Sequence, residues 1–102
     1  MLDLDSIDSK PIEIKINKVV VKVNQPAFGL AKRVRIYERD LSEMKEDDIY
    51  KEQVNILVSF LNNNSSSKEF KEKDIEELTF NAIRALYNEL VNSIMGIENN
   101  PN

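Results

Sequence analysis

Between Ile12 and Asn24 apolar and polar positions alternate. Ile12, Ile14 and Ile16 fall on one face, with Glu13 and Lys15 on the other. Beyond Asn17-Lys18 the series resumes as Val19, Val21 and Val23, with Lys22 between them. A period of two predicts strands. Asn tolerates positive φ, so Asn17-Lys18 predicts the two-residue turn of a hairpin over 12–24. Val20 breaks the alternation and leaves the second strand apolar on both faces near its start. A lone two-stranded hairpin is barely stable in water, so the rest of the chain must cover its β-branched face.

From Pro26 the period changes. Proline suits a first helical turn, and Asn24 or Gln25 stands where a cap belongs. Leu30, Val34, Tyr37, Leu41 and Met44 then step by four and three, with Phe28 and Ala31 widening the stripe. This predicts a first helix over 26–40. A second, over 47–62, carries Tyr50, Val54, Leu57 and Leu61 on one line, with Ile49, Ile56 and Phe60 beside it. Asp47 or Asp48 can cap it and favour its positive end. "NNNSSS" (62–67) predicts a mobile loop, because short polar side chains compete with helical hydrogen bonds. A third helix is predicted over 73–95 from Ile75, Leu78, Ala82, Leu86, Leu90 and Ile94, with Ile83, Tyr87 and Val91 alongside. Asp74 and Glu77 suggest its cap, and Gly96 its end. The expected fold is α+β and mainly α: an N-terminal β-hairpin followed by a bundle of about three helices. It forms one domain over 12–97, with a flexible arm at 1–11 and a frayed tail at 98–102.

Composition narrows the chemistry. The 102 residues hold no Cys and no His, which removes disulfides, thiolate nucleophiles, imidazole acid–base work and ordinary zinc sites. Tyr and Ser hydroxyls without a partner base or a Gly-rich phosphate cradle make no catalytic set, so neither an enzyme nor a cofactor is expected. The start, "MLDLDSIDSKP", lacks the basic and apolar regions of a secretory signal. No apolar run reaches the roughly 20 residues that span a bilayer. A cytoplasmic protein without membrane contact is therefore expected. The acids of "SEMKEDD" lack the Gly-turned alternation of a cation loop and fit helix-end charges better. "DSID" resembles the serine motif of acyl carrier proteins, but Pro11 and a strand follow where the carrier's helix would begin.

Charge marks the candidate binding residues. Lys32, Arg33, Arg35 and Arg39 outweigh Glu38 on the first helix, while acids dominate Asp40–Glu52. Such asymmetry fits either a partner surface or two neighbouring helices that pair with each other. The net charge of −4 disfavours nucleic acid. Among the aromatics, Tyr37, Tyr50, Tyr87, Phe28 and Phe60 lie on or beside the stripes and are expected in the core. Phe80 is less easily placed. Phe70, within "KEFKEK", is either a staple against the last helix or an exposed anchor for a partner.

Taken in order, "IEIKINKVVVKV", the "QPAF" leading into a basic amphipathic helix, "YKEQVNILVSFL", a polar gap and "KDIEELTFNAIRALYNELVNSIMG" resemble phage tail assembly chaperones. These are small proteins of long-tailed bacteriophages and related prophages. The resemblance spans about 11–97 and rests on hydrophobic patterns. One departure is the turn, where family members often carry Gly and this chain carries Asn17-Lys18.

The resemblance implies a role in the host bacterium's cytoplasm. Such proteins bind the tape-measure protein, keep it soluble and help recruit tail-tube subunits around it. Many are made in a short and a frameshifted longer form. A homo-oligomer is expected, because surface meant for a client needs shielding until the client arrives. Two alternatives are a small helical regulatory or DNA-associated protein using Arg33, Arg35 and Arg39, and a virion structural tail-completion protein.

Overall fold

A computed structural model describes residues 1–7 and 10–96. Strands β1 (Ile12–Ile16) and β2 (Val19–Val23) pair antiparallel, with Ile16 opposite Val19 and Ile12 opposite Val23. Asn17 and Lys18 both take positive φ, 52° and 68°, which is the mirror-image turn whose twist matches that of paired strands. Four helices follow: α1 (Phe28–Asp40), α2 (Glu46–Asn62), α3 (Glu72–Glu76) and α4 (Phe80–Ile94). The expected α+β, mainly α architecture is present. Of the arm, Leu4–Ser6 makes one 3-10 turn, with the Asp3 carboxylate accepting the Asp5 N–H at 3.0 Å. The expected tail at 98–102 lies outside the described residues.

Three local expectations need correction. First, α1 starts at Phe28 behind Ala27, not at Pro26, and no side chain caps it. Both candidate caps are engaged elsewhere. Asn24 Nδ2 donates to Asn63 Oδ1 at 2.9 Å, and Gln25 Nε2 donates to the Lys10 carbonyl at 3.0 Å. Second, α2 begins behind Lys45, so Glu46, Asp47 and Asp48 fill its first turn rather than cap it. They still oppose the positive end of the helix. Third, the segment 73–95 is not one helix. It breaks after α3 and restarts at α4, where Thr79 Oγ1 accepts the Ala82 N–H at 3.1 Å. The Asp74 carboxylate caps α3 by accepting the Lys71 N–H at 2.8 Å, a different arrangement from the expected Asp74–Glu77 pair.

One core joins every element. The inner face of the hairpin gives Ile12, Val21 and Val23, α1 gives Val34 and Tyr37, and α3 gives Ile75. Leu86 and Leu90 come from α4, and the deepest set, Ile56, Leu57, Phe60 and Leu61, from α2. Each such side chain contributes about 1.5–3 kcal/mol on leaving water. α2 is therefore the hub on which hairpin and outer helices rest. The aromatic expectation holds for Phe60, Tyr37 and the half-buried Tyr87, but Phe28 (84% exposed) and Tyr50 (52%) face solvent.

Candidate functional site

The basic cluster of α1 divides in two. Arg33 turns toward α2 and grips Glu52 with Nε at 2.9 Å and the terminal nitrogen at 3.0 Å. Their mutual hydrogen bonding raises the Arg33 pKa and holds the Glu52 carboxyl below its usual range, with partial burial opposing both shifts. Arg39 bonds its neighbour Asp40 at 3.0 Å. Lys32 and Arg35 are exposed, and among the described residues neither enters an ion pair. Lys32 and Arg33 line one groove with Asp48 and Glu52 of α2, and Arg35 and Arg39 are not among its residues. Among the described residues one ion pair, Arg33–Glu52, joins α1 to α2.

Phe70 does not stand out as an anchor. Its ring is half-buried against the core, and its backbone is held on both sides by Asn62, from N–H to Oδ1 at 2.6 Å and from Nδ2 to the carbonyl at 2.9 Å. It acts as a staple under the loop. On the far side of α1, Tyr87 donates to Glu38 Oε2 at 2.8 Å and meets Tyr37 edge-on, with ring centroids 6.2 Å apart. Burial, and then the Glu38 hydrogen bond, push the Tyr87 phenol well above its ordinary value. That contact ties α4 to α1.

The surface features that the pattern concealed are apolar. A groove of about 280 Å³ runs between α2 and the α3–α4 break, floored by Val54, Leu57, Ile75, Leu78 and Ile83. Tyr50 and Phe80 stand at its rim, 52% and 71% exposed. Arg84 lies over the Phe80 ring at 5.4 Å from its centroid. The groove lies at the break, with Ile75 before it and Phe80 and Ile83 after it. Tyr50 falls on the apolar line of α2 and Phe80 on no stripe, so periodicity alone does not mark the two as rim residues.

The two outer edges of the hairpin also differ. In a two-residue hairpin the pair beside the turn is hydrogen-bonded, so Ile12, Ile14 and Ile16 bond inward to β2. The backbone groups of Lys22 then point outward from β2, and those of Glu13 and Lys15 from β1. The β2 edge is covered from Lys22 to Asn24, and nearer the turn Val20 has no such partner among the described residues. Ser65 N–H donates to the Lys22 carbonyl at 3.0 Å, Lys22 N–H to Ser66 Oγ at 3.1 Å, and Asn24 N–H to the Asn63 carbonyl at 2.8 Å. The "NNNSSS" segment expected to be mobile is thus stitched to the sheet. Asn64 braces it, its amide nitrogen reaching the Leu61 and Lys68 carbonyls and its oxygen accepting from Ser66 and Lys68. Among the described residues nothing bonds the outward backbone groups of Glu13 or Lys15.

Among the described residues no polar or charged side chain is buried, and no group of three or more His, Cys, Asp or Glu side chains is placed to hold a metal ion. No helix among them is long and apolar enough to cross a membrane. Comparison with protein-family models, curated proteins and solved structures finds no match for this chain.

Proposed function

We propose that this protein is a non-enzymatic assembly chaperone of the phage-tail type, which holds the tape-measure protein and helps tail-tube subunits gather around it. The observation that supports this reading is the groove rimmed by Tyr50 and Phe80. Its apolar floor and open ends suit one face of an amphipathic helix, the form expected of a long tape-measure client. Tyr50 is of the residue class that dominates binding hot spots, and Phe80 adds a second exposed ring beside an apolar floor. The family rests on the sequence resemblance over 11–97, and the groove supports it as a surface of the kind a helical client would use. The DNA-associated alternative has less to draw on, since Arg33 and Arg39 already bond acids of the same chain.

The test is co-expression with a phage tape-measure protein, which on this reading is encoded beside this gene. The expected result is that the long protein stays soluble and co-purifies, and that a Tyr50→Ala/Phe80→Ala variant loses it while keeping its helical circular dichroism. A long protein that precipitates equally with and without this chain would end the proposal. So would duplex-DNA binding at low salt with no effect on the tail protein.

A further inference from the structure

We infer that the open edge of β1 docks the leading arm of a second copy of this chain as an added strand. The site is a groove of about 390 Å³ between β1 and α4, lined by Ile14 and Ile16 on one side and by Leu78, Ala82, Ala85 and Leu86 on the other. β2 takes no part in it, so the groove runs along the unpaired side of the hairpin. It offers what strand addition needs: outward N–H and C=O groups at Glu13 and Lys15, and an apolar wall for alternate side chains.

The arm has the matching pattern. Leu2 and Leu4 alternate with Asp3 and Asp5, and the two leucines are 78% and 70% exposed. Once the 3-10 turn at Leu4–Ser6 opens, an antiparallel register sets Leu4 opposite Ile14 and Leu2 opposite Ile16, so both point into the groove. Asp3 then meets Lys15 on the outer face. Asp5 meets Glu13, whose cross-strand neighbour is Lys22. Lys15, Lys18 and Lys22 outnumber Glu13 on that face and turn, so the acidic arm and the hairpin are complementary in charge.

The same register within one molecule is disfavoured. Its turn would close on the pair Ile7–Pro11, and proline has no N–H to give the closing hydrogen bond. The Lys10 carbonyl is also held by Gln25. A second copy needs no turn. The docking requires no client and leaves the Tyr50 and Phe80 rims uncovered, with Leu78 the residue common to both grooves.

The lack of cysteine allows a direct test on the full chain. One preparation carries Leu4→Cys and another Ala85→Cys; both positions are exposed. Mixed under mild oxidation, they should give a heterodisulfide, while Leu4→Cys mixed with Ser59→Cys on α2 should not. Sedimentation of the unmodified chain should show concentration-dependent association. Ala85→Arg, which fills the groove from a helix surface, should weaken it by about tenfold or more. Leu2→Asp/Leu4→Asp repeats that test on the arm, away from the core. Three results would overturn the inference: a solitary chain at every concentration, association that both variants leave unchanged, or a disulfide that forms only within one chain carrying both Leu4→Cys and Ala85→Cys.

Discussion

The two edges of the hairpin share one sequence style and meet opposite fates. The β2 edge is closed from Lys22 to Asn24 by a segment some forty residues downstream, and Val21 and Val23 beside it are fully buried, whereas Val19 and Val20 nearer the turn are 42% and 50% exposed. The β1 edge is bare, and Ile14 and Ile16 beside it are only half covered. An unpaired edge invites another strand, and proteins blunt such edges with charges and proline. Here β1 has Glu13, Lys15 and a preceding Pro11, while β2 has a covering loop. The difference teaches that the hairpin answers to two needs. One side is anchored to α2 as part of the core, and the other is left available.

The comparison breaks most readily from the buried side. Val23→Ala should cost about 2–3 kcal/mol by chemical denaturation, because it opens a cavity under a closed edge. Ile16→Ala, at the half-open edge, should cost only about 1 kcal/mol. Equal losses would mean that the two edges are equally packed. Next in size, Asn64→Ala should cost about 1–2 kcal/mol, since it leaves the Leu61 and Lys68 carbonyls and two N–H groups without their partner. Hydrogen exchange should then quicken at Lys22 and Asn24 and stay unchanged at Glu13 and Lys15, which are already open.

A smaller effect serves as a control away from the sheet. Arg33→Ala should cost about 1 kcal/mol or less, because the pair with Glu52 is partly solvated, and added salt should shrink it further. The folded state lowers the Glu52 pKa, so the contribution is complete above the ordinary carboxylate value of 4.5 and is lost as pH falls through the depressed one. Acid titration of stability in the wild type and in Arg33→Ala should therefore converge at low pH. Neither hairpin edge should change its exchange. Smallest of all, Lys18→Gly should stabilise by about 0.5 kcal/mol, with relief of the positive φ partly offset by a looser unfolded chain. A loss on that substitution would show that the Lys18 side chain holds the turn.

Much of the architecture was legible because periodicity reports which face is buried. The hairpin, its turn at Asn17-Lys18, and the stripes of α1 and α2 follow from spacing alone. Gly96 also takes the positive φ of 70° expected beyond a helix end. The break between α3 and α4 was not legible. Ile75, Leu78 and Ala82 keep helical phase across it, so the hydrophobic pattern runs on where the backbone does not. Thr79 was the available signal, as a cap with no acid at the third position to reinforce it. The candidate site fared worse. Arg33 stood both as a candidate partner residue and as one that pairs with the acidic helix after it; it bonds Glu52 of that helix, nineteen positions away. Exposure of Tyr50 and Phe80 depends on how the break parts two helices, which no local pattern encodes.

By itself the sequence determined the kinds of element and their order, since alternation and 3.6-residue spacing are properties of neighbours along the chain. It also excluded cysteine and histidine chemistry outright. Which edge is covered, which cations are neutralised and where a groove opens were decided only in three dimensions, because each depends on groups tens of residues apart competing for one hydrogen bond or one patch of apolar surface.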